Sequence, residues 1–297
     1  MQISAGNTRI EIDDQGPASA EPLLLIMGLG MQLTAWPEAL VQQLLARGFR
    51  VIRMDNRDAG LSQGFDHLGA PNLALAAMRY TLHMKVSAPY SLADMAGDAL
   101  GVMDALGLQR AHVCGASLGG MVAQHLAASQ PQRVASLTLM MTTAGARHLP
   151  QPAMRVRAAL LSRPASVAPA DVVAHLQRIL GVIGSPGFVT PPDEQALKLK
   201  AMVARAWRPN GTVRQLAAVL ADGDRTPLLA RIAAPTCVIH GRSDPLVPVA
   251  AGIDLAARIP GAVADLVDGM GHDLPAALLP RFADAIKTNA GRARMAS

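Results

Sequence analysis

The sequence predicts an α/β protein built on a mostly parallel, twisted sheet flanked by helices. Short apolar, strand-like runs alternate with helical patterns through the first half of the chain, and this alternation is typical of βαβ units. Strand patterns resume near the C-terminus after a block of helical patterns. A length of 297 residues suits one large domain or one domain that carries an insertion.

The first half contains strand and helix patterns in alternating order. The expected strands are PLLLIMG (22–28), FRVIRMD (49–55), AHVCG (111–115) and VASLTLMMT (134–142). The expected helices are PEALVQQLLARG (37–48), SLADMAGDALGVMDALGL (91–108) and residues 118–129. Ser91 and Asp94 form a capping-box pattern at the start of the second of these helices.

The strand pattern disappears between about residues 146 and 231. Four helical patterns with Pro or Gly breaks replace it, at 150–163, 169–182, 191–208 and 211–221. Afterwards the strands TCVIHG and VADLVDG alternate with helices near 248–258 and 275–288. We therefore expect a core domain of residues 1–145 and 232–297, with residues 146–231, the helical insertion, lying over the sheet.

Composition argues against several classes of protein. Hydrophobic residues make up 51% of the chain, enough for a sizeable core, but the longest uncharged apolar runs are too short to cross a membrane. The net charge of +5 comes with scattered Arg residues and only 3% aromatic residues, which argues against nucleic-acid binding. The N-terminus has no export pattern, so we expect a cytoplasmic protein. Cys114 and Cys237 are expected to be buried thiols.

The stretch GASLG, residues 115–119, carries the main functional signal. It places Ser117 between a strand pattern and a helix pattern, with small residues two positions before and after it. This context is typical of a nucleophile elbow, where a strained turn exposes the serine above the carboxyl ends of the strands. GLSQG, residues 60–64, matches the same motif, but it lies in a loop, so we interpret Ser62 as a turn residue.

A serine nucleophile requires a general base and a carboxylate that orients the base. In a site of this kind the chain order is Ser, then Asp or Glu, then His. GRSDPLVP follows the strand TCVIH and offers Asp244, whereas GMGHDLP follows VADLV and offers His272. His240, Asp268 and Asp273 are the alternatives. His240 lies inside a strand, and neither Asp268 nor Asp273 follows the strand that ordinarily carries the acid.

The expected oxyanion hole combines the N–H of Leu118 with one from the loop after the first buried strand. Gly28 and Leu29 are the candidates in that loop, and Leu29 is favoured. The GLG of this loop also resembles a dinucleotide-binding fingerprint. However, Leu33 occupies the position of the third glycine, and no acidic ribose partner fits.

Apolar side chains near these motifs are candidates for a substrate pocket, although ordinary core packing explains each of them equally well. They are Met27, Met31, Met121, Met202, Trp207 and Leu246.

Together the motifs resemble those of a known family. The matching stretches are LLLIMGLGMQLTAW, RMDNRDAGLS, APYSLADMAGDALGVMDALGLQRAHVCGASLGGMVAQ, GRSDPLVP and GMGHDLP. Over nearly its whole length the chain resembles α/β-hydrolase-fold serine hydrolases, and more specifically bacterial esterases of the aclacinomycin methylesterase type. Many relatives carry His-Gly before the oxyanion residue, whereas this chain has Met27-Gly28, as in the methylesterase branch. The resemblance implies that the helical insertion is a lid after the sixth strand, and that no metal or organic cofactor is used.

We predict an enzyme that cleaves carboxylic esters through an acyl-enzyme, acting on a small to medium hydrophobic ester. The same triad suits a carbon-carbon bond hydrolase or a lactonase, and a non-catalytic ligand-binding receptor of this fold also stays open. The expected partner is a small-molecule ester rather than a nucleic acid or a membrane. A homodimer is left open.

Overall fold

A sheet of eight strands forms the centre of the computed structural model, which describes residues 1–295. The strands are β1 Gln2–Ala5, β2 Thr8–Gln15, β3 Glu21–Ile26, β4 Phe49–Met54, β5 Ala111–Ala116, β6 Val134–Met140, β7 Thr236–Gly241 and β8 Val263–Val267. Their order in the sheet is β1-β2-β4-β3-β5-β6-β7-β8. Strands β3 to β8 run parallel, and only the β1–β2 and β2–β4 pairs are antiparallel. The predicted mostly parallel sheet is confirmed.

Helices flank the sheet. They are α1 Glu38–Ala46, α2 Leu73–Thr81, α3 Leu92–Ala105, α4 Leu118–Ser129, α5 Met154–Leu161, α6 Pro169–Ile183, α7 Pro192–Arg205, α8 Pro209–Asp222, α9 Thr226–Leu229, α10 Val249–Arg258 and α11 Leu279–Met295. Helix α3 begins at the predicted capping box, in which the side chains of Ser91 and Asp94 each accept a hydrogen bond from the other residue's N–H. No helix within residues 1–295 combines the length and the apolar character needed to span a membrane.

Strand β3 supplies two hydrophobic clusters, one on each face of the sheet. Leu24 and Ile26 belong to the cluster that includes the inner faces of α3 and α4. Leu23 and Leu25 belong to the cluster that includes α1 and α11. Successive side chains of a strand point to opposite faces, so a strand buried on both sides is apolar at every position. This explains why LLLI was recognisable in the sequence as a buried strand.

The N-terminal hairpin β1–β2 was not predicted, and neither were the short helices α2 and α9. In β2 the side chains of Thr8, Ile10 and Ile12 are buried and alternate with more exposed ones. The strand reaches the main sheet by antiparallel pairing with β4. Such a half-buried strand has a weaker local signal than β3, and its partner lies some forty residues away in the chain.

Five helices, α5 to α9, occupy the helical insertion between β6 and β7. The four patterns predicted there correspond to α5 through α8. Arg214 of α8 is fully buried and donates hydrogen bonds from Nε and Nη2 to Asp58 at 2.8 and 2.7 Å. The Tyr90 hydroxyl donates to the same carboxylate at 2.8 Å. Burial alone raises the pKa of Asp58, but these hydrogen bonds outweigh burial and lower the pKa. The insertion is therefore joined to the core by a buried ion pair.

Arg214→Ala leaves the Asp58 carboxylate buried without its cation, so we expect the free energy of unfolding to fall by about 3–5 kcal/mol. Urea denaturation followed by circular dichroism measures the loss. The control is Arg281→Ala, which removes an exposed ion pair with Asp265 and should cost less than about 1 kcal/mol. If the free energy of unfolding falls by a similarly small amount in both variants, the ion pair of Arg214 with Asp58 does not stabilise the fold as proposed.

Candidate active site

Ser117 lies at the turn between β5 and α4 with a strained backbone. Its φ of 53° and ψ of −119° are rarely adopted by a non-glycine residue. A Cβ on Gly115 would lie 2.3 Å from the Gly119 carbonyl oxygen, and one on Gly119 would lie 2.0 Å from the Ile26 carbonyl oxygen. The two glycines of GASLG are therefore required because the helix crosses directly over β5 and β3.

Neighbouring backbone and side-chain groups support this turn. The Ser117 N–H donates to the Met140 carbonyl at 2.9 Å, and the Thr142 hydroxyl donates to the Ser117 carbonyl at 2.6 Å. Both partners come from the end of β6 or the residues just after it. The strained serine is therefore held by the adjacent strand as well as by its own helix.

The structure brings Ser117, His272 and Asp244 together in the predicted order. Ser117 Oγ is 3.0 Å from His272 Nε2, and His272 Nδ1 is 2.7 Å from Asp244 Oδ2. His272 and Asp244 are 8% and 5% exposed, whereas Ser117 is more accessible. Asp244 follows β7 and His272 follows β8, so all three residues lie at the carboxyl edge of the sheet.

The turn after β7 orients the carboxylate of Asp244 so that it accepts a hydrogen bond from His272. Asp244 Oδ1 accepts from the N–H groups of Leu246 and Val247 at 2.9 and 2.8 Å, which leaves Oδ2 for His272 Nδ1. His240 Nε2 donates to the Val247 carbonyl at 2.8 Å, and burial lowers the pKa of His240. Because its Nε2 is bonded to the turn that carries Asp244, His240 has a structural position rather than that of a base beside Ser117.

Ser62, the second motif serine, is buried and engaged by the backbone. Its hydroxyl donates to the Asp55 carbonyl at 2.6 Å and accepts from the Glu11 N–H at 2.9 Å. Only 1% of the residue is exposed. The interpretation of Ser62 as a turn residue is confirmed.

Gly28 and Leu118 lie next to the serine, and Leu29 follows Gly28 in the loop after β3. A Cβ on Gly28 would be 3.2 Å from Ser117 Cβ, so the loop after β3 passes directly beside the serine. Leu118 is the first residue of α4, where backbone N–H groups are free of intrahelical partners. Among residues 1–295, neither the Leu29 N–H nor the Leu118 N–H has a hydrogen-bond partner.

The six predicted pocket residues lie in several different surroundings. Met27 and Met121 belong to the hydrophobic clusters on opposite faces of the sheet. Met31 packs against a separate cluster of the insertion that contains Met202. Leu246 lies in the Asp244 turn, and Trp207 is half-buried between α7 and α8.

The sequence matches a family model described as the alpha/beta hydrolase fold over residues 21–274. The chain belongs to the α/β-hydrolase family. The resemblance inferred from its motifs is thereby confirmed, together with the fold class.

This α/β hydrolase is similar to enzymes that include a methylesterase and a dienedioate hydrolase. It is 33% identical over 294 residues to rhodomycin D methylesterase of Streptomyces sp. (strain C5), covering 91% of this chain and 90% of that protein. It is 30% identical over 282 residues to 2-hydroxy-6-oxononadienedioate/2-hydroxy-6-oxononatrienedioate hydrolase of Cupriavidus pinatubonensis, covering 92% and 88%. A meta-cleavage product hydrolase of Pseudomonas fluorescens shares the fold, with a TM-score of 0.76, 20% identity, and coverage of 99% and 98% of the two chains.

Sequence reasoning missed the polar contacts by which the insertion of the α/β hydrolase reaches the loop after β3. Arg205 Nη1 donates to Asp55 Oδ2 at 2.8 Å and to Gln32 Oε1 at 2.7 Å. Gln215 Oε1 accepts from the Gly30 N–H at 2.8 Å. Asp55 lies within the stretch RMDNRDAGLS, but its partner Arg205 lies 150 residues away in the chain, so no local pattern could pair them.

A fluorophosphonate probe should label Ser117 and leave Ser62 unmodified in the folded protein, because only Ser117 combines an imidazole neighbour with an accessible hydroxyl. Peptide mass spectrometry identifies the site. Ser117→Ala should abolish labelling, whereas Ser62→Ala should retain it. Labelling of the Ser62 peptide in folded protein would contradict this reading of the two serines.

Proposed function

We propose that this α/β hydrolase cleaves carboxylic esters through a covalent acyl-enzyme formed on Ser117. The observation that carries the proposal is the hydrogen-bonded chain from Ser117 Oγ to His272 Nε2 and from His272 Nδ1 to Asp244 Oδ2. In this chain a nucleophile contacts its base and the base contacts its orienting acid, which is the geometry that serine hydrolysis requires.

The first half of the reaction forms the acyl-enzyme. Ser117 Oγ attacks the ester carbonyl carbon while its proton moves to His272 Nε2. Asp244 fixes the tautomer that leaves Nε2 free to accept, and it stabilises the resulting imidazolium. When the tetrahedral intermediate collapses, the bond from carbon to the alcohol oxygen breaks, and His272 returns the proton to the departing alcohol.

The second half releases the acid. His272 takes a proton from a water molecule while the water oxygen attacks the acyl carbon. The bond from this carbon to Ser117 Oγ then breaks as His272 protonates that oxygen. In both halves the N–H groups of Leu118 and Leu29 stabilise the oxyanion, with Gly28 allowing the loop to approach. Both amides lack other partners within residues 1–295, and the N-terminus of α4 adds a favourable dipole.

The helical insertion, residues 146–231, is proposed as a lid that selects the ester, completing a core of residues 1–145 and 232–297. A set of apolar side chains is proposed to contact the ester, which suits a small to medium hydrophobic substrate. They are Met27, Met31, Met121, Met202, Trp207 and Leu246. Of these, Met31 and Met202 contact one hydrophobic cluster from the core and insertion sides respectively. The similarity to rhodomycin D methylesterase supports an ester of a small alcohol as the substrate of this protein.

Cleavage of a carbon-carbon bond is the second candidate, favoured by the 30% identity to the dienedioate hydrolase of Cupriavidus. A lactonase would use the same residues, and a receptor would bind an ester without turnover. We further propose that the protein is cytoplasmic and needs no metal or organic cofactor. A homodimer stays a prediction.

Ser117→Ala and His272→Ala should each lower kcat by on the order of 10⁶, and the double variant should lose no more, because the triad acts as a unit. Asp244→Asn should cost on the order of 10⁴ through the wrong imidazole tautomer. Steady-state hydrolysis of p-nitrophenyl acetate measures these losses. The triad is wrong if His272→Ala stays active while folded His240→Ala does not.

Met202→Ala and Trp207→Ala should change the preferred acyl length among p-nitrophenyl esters more than the rate with acetate, because a lid acts on specificity rather than on the triad. The matched control is Met154→Ala, at an α5 methionine that is 78% exposed. A methyl ester, a lactone and a vinylogous 1,5-diketone assayed in parallel separate the candidate reactions. Turnover of the diketone alone would overturn ester hydrolysis.

A further inference from the structure

The turn that carries His272 is hydrogen-bonded to the helical insertion at three points. We call residues 269–273 the histidine turn and residues 183–188 the clamp segment. The His272 N–H donates to the Ile183 carbonyl at 2.8 Å, and the Gly271 N–H donates to Ser185 Oγ at 2.8 Å. In the other direction, the Gly187 N–H donates to the Gly269 carbonyl at 2.9 Å. The position of the histidine backbone therefore depends on the insertion as well as on β8.

The clamp segment and the histidine turn are in direct backbone contact. A Cβ on Gly271 would lie 2.3 Å from the Gly184 carbonyl oxygen, and one on Gly187 would lie 2.9 Å from the Gly269 Cα. Ser185, at the centre of this contact, is 5% exposed. Because the two backbones touch directly, movement of one displaces the other.

Ser185 links this contact to a second carboxylate next to the histidine. Its hydroxyl accepts from the Gly271 N–H and donates its own hydrogen to Asp273 Oδ1. Burial raises the pKa of Asp273, while the Ser185 hydrogen bond and the charge of His272 act in the opposite direction. Asp273 is not used by the triad, since Asp244 already occupies His272 Nδ1.

We propose that Ser185 and Asp273 are positioning residues for His272, because together they hold the histidine turn against the insertion. The inference rests on the proposed role of His272 as the base. Three titratable groups lie near His272. Asp244 contacts His272 Nδ1, His240 lies beside Asp244, and Asp273 accepts from Ser185. Of the two carboxylates, Asp273 is the one whose removal leaves the tautomer of His272 unchanged.

Ser185→Ala removes the bridge between Gly271 and Asp273. We expect kcat for ester hydrolysis to fall by about 10- to 100-fold with little change in KM, because small displacements of a catalytic group have effects of this size. The matched control is Ser166→Ala, since Ser166 also donates to an aspartate of the insertion, Asp171, but at an exposed site. A parental kcat in folded Ser185→Ala would overturn the proposal.

Asp273→Asn keeps an oxygen that can accept from Ser185 but removes the charge. It should therefore keep most of the parental kcat, whereas Asp273→Ala removes the acceptor and should lower kcat by about 10- to 100-fold, as in Ser185→Ala. Burial raises the pKa of Asp273, so its ionised form costs stability at neutral pH, and Asp273→Asn should not lower the melting temperature. Asp171→Asn is the charge-matched control.

Amide NMR of the folded protein reports the position of the histidine turn without any substrate, which separates the proposal from the proposed function. If Ser117→Ala and His272→Ala retain ester hydrolysis, the proposed function fails, whereas displaced amide signals of Gly271 and His272 in Ser185→Ala and Asp273→Ala still support the positioning contact. Unchanged amide signals together with a parental kcat in both variants overturn the positioning role. If Ser185→Ala does not fold, the comparison of Asp273→Ala with Asp273→Asn carries the test.

Discussion

The strained backbone of Ser117 is the constraint on which the rest of the site depends. A non-glycine residue in the left-handed region is held there only when its surroundings specify it fully. Here Gly115 and Gly119 let α4 cross β5 and β3 in direct backbone contact, and the end of β6 binds the serine N–H and carbonyl. Three neighbouring parallel strands, β3, β5 and β6, therefore fix the position of this turn.

The other two residues of the proposed triad, Asp244 and His272, are positioned in a different way from Ser117. Asp244 and His272 lie on turns just after β7 and β8, so the parallel sheet brings them to the same edge but does not set their final positions. For Asp244 the adjustment is local, through two N–H groups of its own turn. For His272 it comes from the clamp segment of the insertion, which lies about ninety residues earlier in the chain.

The insertion therefore does more than cover the sheet edge. Arg214, Arg205 and Gln215 bind the loops after β4 and β3, and the clamp segment binds the histidine turn. Ion pairs buried in this way cost desolvation and are weak evidence for stability, but they restrict geometry because a displaced partner leaves an uncompensated charge. The insertion therefore contacts both the loop after β3, at Gly30, and the histidine turn.

Local patterns in the sequence determined the strands buried on both faces, the capped helix α3, and the motifs that hold Ser117, Asp244 and His272. Each of these signals is contained in a short segment, where side-chain period, glycine placement or turn chemistry is enough. Only the tertiary structure decided what depends on distant segments: the pairing of β2 with β4, the burial of Ser62, the separation of Met27 from Met121, and the contact of Ser185 with Asp273 across 88 residues. The physical reason is that burial and partner choice are properties of the packed chain, whereas backbone preference and periodicity are properties of neighbouring residues.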